Sequence, residues 1–301
     1  MVKRTSPIDA APSRRVGPVR IGPVALGTAS WALQNPPIGT RTAAWILRAA
    51  LDSGVGLVDT ALAYSTSNEQ SYSERLLAGA LRSLGRRERP VIATKGGHFR
   101  RGDSFVIDGR PETIRSNCEQ SLRALGLETI ELYLLHKPDP AVPLVESVGA
   151  FAELQQAGKV RFVGLSNVSA AQLEEARSVV DIAAVQNGLE ASTGDPVVDR
   201  CEAEGIAYLG YSPFEGSPQA AKRNPGAVEI AAAHRVSPHQ VIIARHLLTS
   251  PAITVIVGAR RPATIRDSAA AATLRLTPRE VELIDTAEPL THAQHPAVGA
   301  L

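Results

Sequence analysis

Aromatic residues are scarce: Phe, Trp and Tyr together make up 4% of the 301 residues, so a pocket walled throughout by flat rings is not expected. Cysteine is scarcer still. Cys118 and Cys201 lie far apart in the chain and form neither a metal nor a disulfide spacing, and a reduced, cytoplasmic setting is the plain reading. Neither sign of charge dominates, with 32 Lys and Arg against 30 Asp and Glu and a net charge of +2. No global field therefore draws the protein to nucleic acid or to a membrane surface. No apolar run approaches the ~20 residues needed to span a bilayer. The N-terminal stretch "MVKRTSPIDAAPSRR" is basic and rich in Pro, Ser and Ala, without the apolar core of a secretion signal, and reads as a loose tail.

What is present is a rhythm. Composition is that of an ordinary globular protein, 44% hydrophobic and 21% charged. Short β-branched runs alternate with amphipathic stretches: "VALGT" (24–28), "GLVDT" (56–60), "VIATK" (91–95), "ELYLLH" (131–136), "RFVGLS" (161–166), "IAAVQ" (182–186), "IAYLGYS" (206–212) and "ITVIVG" (253–258). Between them, "PETIRSNCEQSLRALG" sets Ile114, Cys118, Leu122 and Leu125 on one helical stripe. It opens on Pro111, suited to a first turn, and closes on Gly126, suited to a left-handed cap. Eight strand–helix alternations predict parallel strands with helical crossovers, and the strands are apolar at nearly every position, as when both faces are covered. The expectation is a single-domain (β/α)8 TIM barrel over residues 16–288, between an N-terminal tail (1–15) and a C-terminal tail (289–301) near the active-site mouth. A doubly wound open sheet is the rival, but the G-x-G-x-x-G fingerprint is missing after the first strand, and "GVG" at 54–56 reads as a helix-ending turn. "VGPVRIGPV" reads as a short hairpin capping the barrel floor.

A barrel's chemistry sits at the C-terminal ends of its strands. Those positions carry Asp59 with Tyr64, then Lys95, His136, Ser166 with Asn167, Gln186, and Tyr211 with Ser212. Each alone has a plain explanation, whether helix cap, packing ring or solvated strand end. Four ionisable groups at three neighbouring strand mouths are harder to treat as decoration, because burying them together is costly unless they pair. A lysine ammonium beside a phenol favours the phenolate, an aspartate holds the ammonium in place, and an imidazole with a pKa near ~6.5 adds a further hydrogen bond. The expected product is a tyrosine prepared to exchange a proton with a carbonyl oxygen.

On these residues the sequence resembles the aldo/keto reductase superfamily. "VDTALAY" is similar to that family's strand-two segment, "IATKGG" to its strand-three lysine segment and "LYLLHKPDP" to its strand-four histidine segment, with "GKVRFVGLSNVS" and "GYSP" matching later motifs. The resemblance spans roughly residues 16–288. It implies a nicotinamide cofactor without a Rossmann domain and a catalytic tetrad of Asp59, Tyr64, Lys95 and His136. It further implies that Ser166, Asn167 and Gln186 hold the carboxamide while Tyr211, with Ser212 beside it, stacks on the nicotinamide ring. At the other end, "VIVGARRPATIRDSAA" offers Gly258, Arg260, Thr264, Asp267 and Ser268 to the adenosine half. A helix N-terminus beside arginines favours NADPH over NADH. The family often carries a longer polar residue at position 264, an acid at 267 and Asn at 268.

For the substrate, a small carbonyl compound, the resemblance offers Trp31 as an apolar wall and the loop "GGHFRRGDSFVIDGR" brings His98 and Phe99 near the site. His292 and His295 on the C-terminal tail read as plain loop, and no metal site is expected. Oligomeric state is open. The reading is an NADPH-dependent carbonyl reductase. The alternatives are a nucleotide-binding regulatory module of the same fold, or a barrel enzyme using the Tyr–Lys pair for lyase or epimerase chemistry.

Overall fold

A computed structural model describes residues 14–85, 89–189, 194–215, 217 and 219–287. The C-terminal tail with His292 and His295, and the N-terminal tail up to residue 13, lie outside the described residues. In chain order the strands are β1 (Arg15–Val16), β2 (Val19–Arg20), β3 (Val24–Gly27), β4 (Leu57–Asp59), β5 (Val91–Gly96), β6 (His98–Arg101), β7 (Ser104–Ile107), β8 (Ile130–Leu135), β9 (Val160–Ser166), β10 (Ile182–Gln186), β11 (Ala207–Gly210) and β12 (Ile253–Gly258). The helices are α1 (Ala29–Leu33), α2 (Thr40–Asp52), α3 (Tyr72–Leu84), α4 (Pro111–Leu125), α5 (Leu144–Gln156), α6 (Ala170–Arg177), α7 (Pro196–Glu204), α8 (Ala220–Arg223), α9 (Pro225–His234), α10 (Pro238–Thr249), α11 (Pro262–Ala270) and α12 (Pro278–Thr286). Strands β3, β4, β5, β8, β9, β10, β11 and β12 close on themselves as a parallel barrel, which is the (β/α)8 architecture expected from the alternation.

Strand parity explains why the strands read as unbroken apolar runs. Outward residues such as Leu26, Val58, Ile92, Tyr133 and Val185 join the large core shared with the helices. Their inward neighbours, among them Ala25, Leu57, Ala93, Leu134 and Ala184, fill the barrel. With neither face in water, neither face needs polar residues until the strand ends.

The floor is closed by the β1–β2 hairpin, whose Val16 and Ile21 belong to the interior cluster. Arg14, buried beside it, donates from Nε to the Ile253 carbonyl and from Nη2 to Leu247 O at 3.3 Å. Burial pulls its guanidinium down to about 10.

Helix α4 follows its sequence signals: Pro111 in the first turn, Ile114, Cys118, Leu122 and Leu125 buried, and Gly126 ending it at φ 67°. At the end of β5, a Cβ on Gly96 would collide with the Tyr133 hydroxyl, and Gly97 turns the chain at φ 77°. The segment 96–110, read from sequence as a loop, continues instead into the β6–β7 hairpin, paired Arg101↔Ser104 across a Gly102–Asp103 turn. No helix among the described residues is long and apolar enough to cross a membrane. Both cysteines are buried and free.

Candidate active site

The parity that buries Leu57 also turns Asp59 inward, and the sequence Val91, Ala93, Lys95 does the same on β5. Asp59 and Lys95 therefore meet inside the barrel's upper end, 3% and 0% exposed. Lys95 Nζ donates to Asp59 Oδ1 at 2.7 Å and Oδ2 at 2.9 Å, to the Thr60 carbonyl at 2.9 Å, and to Tyr64 Oη at 3.2 Å. Because the phenol oxygen accepts from Lys95, its own proton points elsewhere. Tyr64 is half-buried, and its ring stands edge-on to His136 with centroids 5.9 Å apart.

Burial pulls the Lys95 ammonium down, but Asp59 and then Tyr64 outweigh it, and its pKa is raised overall. Tyr64 behaves differently from the sequence expectation of a phenol made more acidic. Burial lifts its pKa, Lys95 lowers it, Asp59 lifts it again, and the balance is upward. Lys95 thus keeps a phenolate tolerable when one forms, without making it the resting state. His136 is driven well below the ordinary histidine value by burial, then by Lys95 and His98, so its imidazole is neutral. Its Nδ1 is buried without a partner among the described residues.

Ser166 and Gln186 occupy the last inward positions of β9 and β10, directly paired in register. Asn167 Nδ2 donates to Ser166 Oγ at 3.1 Å and to the His136 carbonyl at 2.9 Å, while Tyr211 donates its hydroxyl to Asn167 Oδ1 at 2.6 Å. Asn167 and Ser212 sit in the left-handed region, at φ 59° and 52°. Gln186 turns toward the Asp59–Lys95 pair, its Nε2 donating to Asp59 Oδ1 at 2.8 Å. Buried hydroxyls without partners among the described residues lie at the ends of β3 and β4: Thr28 Oγ1, Ser30 Oγ and Thr60 Oγ1, with Ser30 Oγ beside Gly258.

Several expected contacts are placed otherwise. Trp31 is no open wall: it is fully buried, its indole N–H bonded to the Ala259 carbonyl at 2.9 Å, because α1 folds it into the core between barrel and helices. Strand alternation sends Phe99 to the opposite face of β6 from His98, into a groove with Gln70, Arg101 and Asn117. Asp267 is engaged within the helical layer. It accepts from Ser237 Oγ and Gln240 Nε2, both at 2.6 Å, fastening α11 to the start of α10. Arg260 spends three N–H groups on the carbonyls of Ser30 (2.9 Å), Gln34 (3.3 Å) and Pro36 (2.5 Å), tethering the loop after α1. Its Nε and one Nη2 proton have no partner among the described residues. Ser268 is buried and Thr264 half-buried on α11.

Sequence reasoning missed Thr60, whose carbonyl holds Lys95, and Arg100. Arg100 Nη1 donates to Ser65 O at 3.1 Å while Gln70 Nε2 donates to Arg100 O at 2.7 Å, clasping the β6–β7 hairpin to the segment that carries Tyr64. The turn signal "GD" between "HFRR" and "SFVI" marks that hairpin; nothing local marks its partner. The described residues contain no cluster able to hold a metal ion.

The chain is similar to several known proteins. Probable aldo-keto reductase 1 of Glycine max is 34% identical over 212 residues, 65% of this chain and 60% of the soybean protein. An aldo-keto reductase of Bacillus subtilis is 33% identical over 164 residues, 54% of this chain and 48% of its own. The chain thus spans less than two thirds of either protein. Aldo-keto reductase str7 of Strobilurus tenacellus is 30% identical over 274 residues, 79% of each chain. The solved structure of a glycerol dehydrogenase from Gluconobacter oxydans shares the fold, with a TM-score of 0.78 at 24% identity over 95% of this chain and 100% of that one. A model of the aldo/keto reductase family matches residues 23–289, and the chain belongs to that family.

Proposed function

We propose that the protein reduces the carbonyl group of a small molecule to an alcohol, using a bound nicotinamide dinucleotide and Tyr64 as the proton donor. The observation that carries this reading is the Lys95 ammonium, buried, paired with Asp59 and donating to the Tyr64 oxygen. A nicotinamide suits the rim beside it. Ser166, Asn167 and Gln186 offer hydroxyl and amide groups to a carboxamide that needs donors and acceptors together, and the half-buried Tyr211 ring offers a face. The hydroxyls without partners among the described residues at the ends of β3 and β4 supply further polar atoms for a ligand.

A reduced nicotinamide bound there would supply hydride to the carbonyl carbon. The rest of the work falls to the chain. Neutral His136 orients the carbonyl oxygen with a hydrogen bond. Tyr64 gives that oxygen its proton as the carbon–oxygen π bond becomes a lone pair and then an O–H bond. The phenolate left behind sits against Lys95, whose charge Asp59 maintains, and recovers its proton from water at the mouth. A phenol held protonated at neutral pH is in the correct form for this role.

NADPH is the proposed cofactor. The two unspent N–H groups of Arg260, near the N-terminus of α11, would meet the extra phosphate. The buried free thiols favour a reduced, cytoplasmic setting. Tyr64→Phe tests the central role: cofactor binding, followed by nicotinamide fluorescence, should be retained while single-turnover carbonyl reduction slows by ~10²–10⁴. Wild-type rates in that variant would remove Tyr64 as the acid, and turnover without net NADPH consumption would favour lyase or epimerase chemistry.

A further inference from the structure

Glu74, in the first turn of α3, is fully buried outside the barrel, and the mechanism above makes no use of it. Its Oε1 accepts from Thr94 Oγ1 at 2.7 Å, whereas its Oε2 has no partner among the described residues. Ser121, on the facing helix α4 and within its reach, is buried with its Oγ likewise unpartnered among them. A buried polar atom without a partner costs free energy, and native structures seldom keep one without a use. Nor do the charges around Glu74 answer it. From β5, the Lys95 ammonium points into the barrel and is committed to Asp59, Thr60 and Tyr64. From β8 and α4 come Tyr133 and Cys118, whose protons burial holds in place, and Glu119 of α4 is paired with Lys159. The other charged residues of α4 (Glu112, Arg115 and Arg123) and those of α2 (Arg41, Arg48 and Asp52) are exposed, and α1 has none.

Burial lifts the Glu74 carboxyl above its ordinary value, and the hydroxyls of Thr94, Ser121 and Ser71, then Lys95, do not pull it back. A proton on Oε2 supplies both missing partners at once: the acid gives an O–H to Ser121 Oγ while Oε1 goes on accepting from Thr94. The same contacts close a ring through the active site. The Tyr64 carbonyl accepts from Ser73 N at 3.0 Å, Ser73 adjoins Glu74, and Glu74 holds Thr94. Thr94 adjoins Lys95, whose Nζ returns to Tyr64 Oη at 3.2 Å. Cutting the link at Glu74 frees the start of α3 from β5, and so loosens the spacing of the phenol and the ammonium.

We propose that Glu74 is a positioning residue that works as a neutral carboxylic acid, accepting from Thr94 and donating to Ser121, and so ties Tyr64 to Lys95 from behind. Its effect on catalysis rests on the carbonyl-reduction reading; its protonation does not. Glu74→Gln keeps the pattern, an oxygen for Thr94 and an N–H for Ser121, and cannot ionise. Glu74→Met keeps the length and neither bond. An acid neutral in the fold and ionised in the unfolded chain contributes stability that is full below the unfolded value and lost as pH rises toward the folded one. Glu74→Gln should therefore gain on the wild type in urea titrations as pH rises from about 5 to about 8, by up to ~10-fold in the unfolding constant per pH unit, the limit for one proton. At neutral pH the infrared band of a protonated carboxyl should be present in the wild type and missing from Glu74→Gln. Single-turnover reduction should be kept by Glu74→Gln and slowed ~10–10²-fold by Glu74→Met, with NADPH affinity unchanged in both. Thr94→Val cuts the same link from β5, should slow reduction likewise, and serves if Glu74→Met fails to fold. A stability difference that stays flat or shrinks as pH rises would overturn the neutral acid. Wild-type rates in folded Glu74→Met or Thr94→Val, or equal slowing by Gln and Met, would overturn the positioning role. No turnover by the wild type, with Tyr64→Phe indistinguishable from it, would defeat carbonyl reduction and the positioning role with it, while the stability comparison still decides the acid.

Discussion

Lys95→Met is the most informative single change. It removes a cation that is wholly buried and leaves Asp59, 3% exposed, with only the Gln186 amide among the described side chains donating to it, at 2.8 Å. Breaking a buried pair from one side strands a charge and costs about 3–5 kcal/mol. At roughly 2.1 cal/mol/K of unfolding entropy per residue, a 301-residue chain losing ~4 kcal/mol should melt about 6 °C lower. The double variant Asp59→Asn/Lys95→Met removes the stranded charge, so it should regain at least half of the lost stability in urea titrations. Carbonyl reduction should not return with it, because the phenolate would still lack its cation. Refutation is direct. If Lys95→Met melts with the wild type, the pair is not the desolvated ion pair described; if the double variant recovers reduction along with stability, the ammonium has no part in the chemistry.

Two further expectations follow from the same site. Tyr64 acts in its protonated form and its pKa is raised, so kcat/KM for reduction should be retained below that pKa and lost only as pH climbs through it, above the ordinary phenol value of ~10. His136 is held neutral, so no inflection should appear near ~6.5, and an acid limb there in a pH profile would contradict its assignment. Arg260→Ala should weaken NADPH by a larger factor than NADH in fluorescence titrations, with a smaller loss common to both from the freed loop at Ser30, Gln34 and Pro36; equal losses would leave Arg260 a tether and nothing more.

The strands and helices, and through them the barrel, were determined by the sequence itself. Apolar periodicity, Pro111 and Gly126 are local signals, and eight alternations leave few topologies that bury both faces of every strand. The meeting of Asp59 and Lys95 was equally readable, because two-residue parity from Leu57 or Ala93 fixes where those two side chains point. The tertiary structure decided what parity cannot reach. The upward balance of the Tyr64 pKa depends on how deeply packing buries the phenol, which no spacing records. Trp31, Asp267 and Arg260 look free in sequence, yet each is taken by a group far along the chain: Ala259 for Trp31, Ser237 and Gln240 for Asp267, Ser30 to Pro36 for Arg260. His98 likewise becomes a neighbour of His136 because Gly97 turns the chain back over the mouth. Side chains acquire such partners only when distant segments pack, and packing, unlike periodicity, is a property of the whole chain.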